Sequence, residues 1–407
     1  MLRLMGVMLA GIIVATAVLV AVPKVEAQSR VGVCGSGFGH GVGLSQYGAK
    51  GRAEAGQSFQ QITRTYYRGV GLQRFQNNPV VGVLLGARAE SGAHDVVVRS
   101  GARARMANLA TGGTVNLNPG RYRTRYLPNR GVYRVTDVSR SRSIGVYSGP
   151  IAFRPVSGGP LRYGQTNYRG ALVVRENNSR LLLVNRLRME TYLRGVVPRE
   201  MPSSWAMEAL KSQAVAARSF ARATQRNGAF DFFADTRDQV YGGASAETRR
   251  TNVAVRDTAR IHAVTDGRPI TAFFHSSNGR HTEDSRFVFG NAVSYLKALR
   301  DVDGAGRPFE GRARGNSPWI NWSGSIDPNG SPGFGVGSIR SIRVLNRTSS
   351  GRVTRIEVRG SRGETIVRGQ QDIRFGLQST GIRRADGSNV PGGPLPSARL
   401  SFGNACG

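Results

Sequence analysis

Between residues 80 and 190, short apolar runs alternate with turn formers. Val80 to Leu85, Val96 to Val98, Ala171 to Val174 and Leu181 to Val184 are separated by glycine, proline and asparagine. Runs of this length between such residues read as buried or half-buried strands. The period changes after Pro202. Ser203 and Ser204 offer a hydroxyl to free backbone N–H groups, and Trp205, Ala209, Leu210, Ala214, Ala217 and Ala221 follow at helical spacing. Asn227-Gly228 supplies a stop. The pattern therefore predicts a helix over 203–226, whose alanine face lets a neighbour approach closely. A glycine-rich loop and then a helical stretch fill 28–75. Short strands, loops and a helical stretch near 245–258 follow, then a glycine- and proline-rich surface insertion over 301–335. Strands return over 336–376, at Ser341 to Val344 and Arg355 to Arg359. Strands and helices lie in separate stretches, which predicts an α+β fold: a β-rich core with a central alanine-rich helix.

The two ends carry their own signals. Arg3 precedes an apolar run from Leu4 to Val22, and Val25-Glu26-Ala27 resembles an export cleavage site. The expectation is a signal peptide over 1–27, a secreted, extracytoplasmic chain at the cell wall, and membrane contact only through an uncleaved signal. The run is close to the length of a membrane span, so a retained anchor is the alternative. The two cysteines, Cys34 and Cys406, stand near opposite ends of the remaining chain. An even pair in an oxidising compartment favours a disulfide; two free thiols are the other reading.

Charge narrows the partners. The chain has 407 residues, 57 basic against 25 acidic, for a net charge of +32. Such a charge attracts polyanions. For an exported chain these are anionic cell-wall polymers or lipid headgroups. Nucleic acid is not expected, since the arginines are spread along the sequence rather than clustered with aromatics.

The chemistry concentrates at Glu200, between Pro198 and Pro202. Val196, Val197, Met201 and Trp205 surround it in sequence. A carboxyl group in an apolar setting is held neutral to higher pH, as a general acid requires. A carboxylate favoured by the dipole at a helix N-terminus is the other reading. Gln213 shares a helix face with Leu210 and Ala217 and points inward, either tying the helix to a loop or meeting a sugar. His275 and Ser276 precede a glycine-bearing loop and are expected to line a site. No G-x-S-x-G elbow surrounds Ser276 or Ser45, and the glycines of 35–43 lack the dinucleotide spacing. Those glycines allow close backbone approach to a ligand, with His40, Ser45 and Gln46 offering hydrogen bonds.

Several blocks resemble the SpoIID/LytB family of stage II sporulation protein D and amidase enhancers. Tyr192 to Pro202 followed by Glu208 to Ser219 resembles its signature. Gln239-Val240-Tyr241-Gly242-Gly243, Phe274 to Glu283 and Tyr295 to Leu299 match further motifs, and Gly39 to Ala49 is similar to G-H-G-V-G-M-S-Q-Y-G-A. The resemblance implies a peptidoglycan lytic transglycosylase, with Glu200 as the single catalytic acid acting on MurNAc–GlcNAc glycan strands. The alternative is a non-catalytic, wall-binding enhancer of an N-acetylmuramoyl-L-alanine amidase, so a wall amidase is a candidate partner. An ordinary glycosidase would use two carboxyl groups. No second acid is obvious, Glu190 being placed on a predicted strand and Glu283-Asp284 in a loop.

The expected groove for a glycan strand has Glu200 at its centre and walls from 35–48, 239–243 and 275–283. Its substrate-binding candidates are His40, Ser45, Gln46, Gln213, Arg218, Gln239, Tyr241, His275, Ser276 and Ser277. No cofactor is expected. Some family members hold zinc near the segment matching 275–285, but His275 and His281 are too few ligands for a closed site, so no metal is expected.

The family's G-H-G block normally comes last, whereas here it comes first, and Phe375 to Thr380 resembles the segment that leads into it. The order therefore reads as a circular permutation, which requires nearby termini. A Cys34–Cys406 disulfide is expected to replace the lost connection. The domain expectation is a segment over 28–78 that completes the groove, a catalytic domain over 79–385, and a tail over 386–407 returning to the N-terminus.

Overall fold

The computed structural model describes residues 30–85, 95–178, 180–311 and 316–406. The expected signal peptide lies outside them. Strands and helices occupy separate stretches, as in an α+β fold. Seven helices are used below: α1 (Gln46–Glu54), α2 (Phe59–Tyr66), α3 (Met189–Glu200), α4 (Met207–Thr224), α5 (Arg249–Asp257), α6 (Arg286–Phe289) and α7 (Gln370–Gly376).

The alternating apolar runs build two facing sheets. A seven-stranded sheet has Val80–Leu84, Arg180–Arg188, Ala171–Asn177 and Ile151–Pro155 at its centre, and a six-stranded sheet is built around Asp95–Ser100 and Gly120–Leu127. Val83, Met106, Phe153, Leu172, Val174 and Leu183 pack with Val98 and Tyr122 in one core, which α3 closes through Tyr192, Leu193, Val196 and Val197.

A second core holds α1, α2 and one side of α4, with Ile62, Tyr66, Ala209, Leu210, Val215 and Ala216. The opposite side of α4, at Ala214, Ala217 and Ala221, belongs to the first core. α4 is thus buried on two sides. Its small side chains let both cores come close.

The third core lies under a five-stranded sheet in which Gly32–Gly35 pairs with Trp322–Ile326 on one side and Leu400–Phe402 on the other. The first described strand is thus held between later ones. Cys34 and Cys406 are joined by a disulfide, with Cα atoms 5.3 Å apart.

Three expectations need correction. Glu190 is in the first turn of α3, not on a strand: Met189, Tyr192, Leu193 and Val196 recur at helical spacing and are buried, and that periodicity outweighs the strand preference of the two valines. The alanine-rich helix starts at Met207, so Ser203 and Ser204 lie in the preceding turn and neither caps it. The stretch 301–335 is not a surface insertion. Asp301, Glu310 and Ser317 are buried, and Trp322–Ile326 is an inner strand of its sheet.

Candidate functional site

Glu200 ends α3. Pro198 brings no N–H and helps to stop the helix, while Met201 closes the last turn by donating to the carbonyl of Val197 at 2.9 Å. The carboxyl therefore stands at a helix C-terminus, where the dipole disfavours negative charge. The N-terminal reading is overturned. The loop 240–243 lies against α3 at Gly195, where a Cβ would come within 2.5 Å of the Tyr241 ring. Gly242 N–H donates to the Gly195 carbonyl at 3.0 Å, and this seating brings Val240 N–H to Glu200 Oε1, also at 3.0 Å.

The other carboxyl oxygen faces the glycine-rich segment. Gln46, at the start of α1, donates through Nε2 to Glu200 Oε2 at 3.5 Å and to Gln213 Oε1 at 3.4 Å. One amide from the 39–49 block thus bridges the carboxyl group and the Gln213 side chain of α4. Burial pushes the Glu200 pKa up; Val240 N–H, the Gln46 amide and the Arg199 charge pull it part of the way back.

A cavity of about 270 Å³ opens beside this carboxyl. Its apolar wall is Phe220, Phe273, Phe274 and Phe289, with His40 among them and Arg237 and Asp238 at the other side. The Phe273 and Phe289 rings stack with centroids 4.5 Å apart. Asp238 receives two bonds from Arg226, at 2.7 and 2.9 Å, and one from Phe233 N–H at 2.8 Å, so its oxygens are occupied.

His40 is fixed as a neutral ring. Val42 N–H donates to its Nδ1, so Nε2 carries the proton and donates to the Phe274 carbonyl. Burial, helped by Arg374 and Arg352, lowers its pKa to about 3. His275 lies behind it with ring centroids 5.4 Å apart, its Nδ1 donating to the Val42 carbonyl. Its pKa is pushed well down, first by burial and then by His40 and Arg352.

The remaining candidates divide. Ser45 and Ser277 both donate to Glu310, each at 2.6 Å. Asn278 and Gly279 donate backbone N–H groups to the same buried carboxylate, which locks the glycine-rich segment to the 275–279 loop. Asp301 beneath it accepts from Arg52, Tyr66 and Asn278. Ser276 is half-buried, and its carbonyl accepts from Tyr47 N–H. Gln239 is buried and donates to the Ala217 carbonyl. Tyr241 donates its hydroxyl to Asn185 at 2.7 Å, and Arg218 is enclosed in a two-pronged ion pair with Glu190 at 2.8 Å per bond. Of the ten substrate-binding candidates, His40 lines the cavity, Gln46 touches Glu200, and Gln213 reaches it through Gln46. Arg218, Tyr241, Ser45 and Ser277 make their bonds inside the protein.

Sequence reasoning missed the phenylalanine wall, Glu310 and Asp301. Phe273 and Phe274 adjoin His40's loop through the parallel pairing of Phe274–His275 with Leu44–Ser45 and the His40–Phe274 bond, contacts between segments more than 200 residues apart. Glu310 carried no local signal in a stretch read as surface.

Residues 177–264 match the family model described as stage II sporulation protein. An uncharacterized protein of Brachyspira hyodysenteriae is 38% identical over 157 residues, covering 38% of this chain and 42% of that protein. The amidase enhancer of Bacillus subtilis is 45% identical over 110 residues, 27% of this chain and 15% of its own length. The stage II sporulation protein D of the same organism is 33% identical over 135 residues, 29% and 39% of the two lengths. The match to each thus spans less than half of that relative. The matched stretch 177–264 contains Glu200, Gln213 and the 239–243 loop.

Proposed function

We propose, on the premise that the chain belongs to the SpoIID/LytB family through residues 177–264 and the relatives above, that it is a peptidoglycan lytic transglycosylase working outside the cytoplasm. The observation that carries this reading is the Glu200 carboxyl: half-buried, raised in pKa by burial, held by Val240 and Gln46, and open to an aromatic-walled cavity. An acid of raised pKa keeps its proton to higher pH than an exposed carboxyl and can deliver it.

In the proposed reaction the Glu200 proton passes to the glycosidic oxygen between MurNAc and GlcNAc. The C1–O bond breaks and its electron pair leaves with that oxygen. The carboxylate then takes the proton of the muramyl C6 hydroxyl, whose oxygen closes on C1. The 1,6-anhydro product forms without water, and Glu200 is again protonated. One carboxyl group suffices, which suits a cavity whose other acid, Asp238, is occupied by Arg226. The apolar wall suits the face of a sugar ring and limits water near the broken bond.

The second reading, a non-catalytic enhancer of a wall amidase, rests on the likeness to the Bacillus amidase enhancer. Incubation with purified glycan strands, with and without stem peptides, separates the two. Anhydro-muramyl ends seen by mass spectrometry support the enzyme. Their absence, with faster release of peptides by an added amidase, supports the enhancer.

A further inference from the structure

A cavity of about 700 Å³, sharing no lining residue with the Glu200 site, opens beside the disulfide. Its floor is the backbone and small side chains of Gly35, Ser36, Ser323 and Ser401, on the central strands of the five-stranded sheet or beside them. Its walls carry Arg347, Arg383, Arg384 and Arg399. The positive charge there is under-neutralised. Arg347 donates to the Gly351 carbonyl and to Ser401 Oγ, and Arg399 to the Ser350 carbonyl, all neutral acceptors. Among the described residues neither guanidinium stands in an ion pair. The acid at the rim is Asp386, exposed and 3.8 Å from Arg384. Arg280 also bears on the cluster: after burial, Arg280 and Arg347 are the charges that most lower the Arg399 pKa.

Partly desolvated cations that outnumber the carboxylates facing them, here Asp386 toward Arg384 and Glu283 toward Arg399, are costly unless an anion completes them. Guanidinium forks fit phosphate oxygens, and several can share one phosphate. The shape favours a chain over an isolated ion. Arg383 and Ser323 also line a neighbouring cavity of about 830 Å³ in which Arg383 supplies the charge, so the cationic wall continues into an uncharged trough. We infer that this cleft binds a phosphodiester-linked polyanion, alternating charged and neutral units, at a site independent of Glu200. A soluble wall polymer supplies such a chain; the phosphates of a lipid surface are the competing source that the test separates.

The test titrates the full exported chain with poly(glycerol phosphate) oligomers and, separately, with phosphatidylglycerol vesicles. Three proteins are compared: wild type, Arg347→Gln/Arg383→Gln, and a control removing two exposed charges from the six-stranded sheet, Arg121→Gln/Arg134→Gln. All four arginines are exposed, so the fold should tolerate their loss. The inference expects the cleft variant to bind oligomers at least tenfold more weakly and the control to stay within about twofold, with glycan cleavage unchanged in both. Loss confined to the vesicle arm, with oligomer binding unchanged, overturns the polyanion reading. Equal weakening of both variants in both arms overturns the site and leaves only overall charge.

Discussion

At the scale of a residue, the account turns on how little holds the Glu200 charge. One backbone N–H at 3.0 Å and one long amide bond at 3.5 Å do not offset the burial, and the pKa stays raised. The sign follows directly. A raised carboxyl is protonated to higher pH than its usual value of about 4.3, so cleavage falls as pH rises through that higher pKa. The same shift makes Glu200 a stabilising influence below its unfolded pKa, lost as pH rises through the folded one. Gln46→Ala removes a donor to the ionised form, so the alkaline limb of kcat/KM should move further up. A downward shift, or none, in a pH–rate profile would remove Gln46 from the positioning of the acid. Glu200 itself was legible in the sequence because prolines and apolar residues flank it. Its donors were legible only as family motifs, since Gln46 and Val240 meet it across 154 and 40 residues.

At the scale of an element, α4 joins two cores through its small side chains. Ala217 is fully buried in the first core. Ala217→Leu should destabilise the fold by about 1–3 kcal/mol through overpacking, read as a lower urea midpoint. A midpoint at or above wild type would mean the helix is not tightly enclosed. Arg218 on the same helix is a second case. Its ion pair with Glu190 ties α4 to α3, the helix that ends on Glu200. Glu190→Gln leaves a buried guanidinium uncompensated and should cost about 3 kcal/mol. At temperatures where it stays folded, its KM for glycan should be unchanged; a raised KM would show that the pair meets substrate. The sequence placed α4 within a few residues because alanine spacing is unambiguous. It misread α3 because Val196 and Val197 favour strands locally, and only the burial of Met189, Tyr192 and Leu193 with them decides for helix.

At the scale of the molecule, the strand Gly32–Gly35 lies between Trp322–Ile326 and Leu400–Phe402, and the glycine-rich segment that follows it reaches Glu200. A permuted chain order would require Cys34 and Cys406 to lie together and the 39–49 block to stand near Glu200; the two cysteines are bonded, and Gln46 of that block donates to Glu200. The disulfide closes 372 residues of sequence separation. The chain-entropy model assigns such a loop about 5 kcal/mol, less any native strain. Cys34→Ser/Cys406→Ser should therefore melt well below wild type while still cleaving glycan when folded. An unchanged melting temperature would mean that strand pairing alone holds the ends. The sequence indicated this closure because its two cysteines bracket the chain, whereas the burial of Asp301 and Glu310 was invisible, since their partners Ser45, Arg52, Tyr66 and Ser277 come from other segments. The central claim, that Glu200 is the acid of a lytic transglycosylase, is tested most directly by mass spectrometry of glycan strands digested with wild type and Glu200→Gln at equal wall binding. The account predicts 1,6-anhydro-muramyl ends with wild type and at least about a hundredfold fewer with the variant; anhydro ends from the variant within about tenfold of wild type would contradict it.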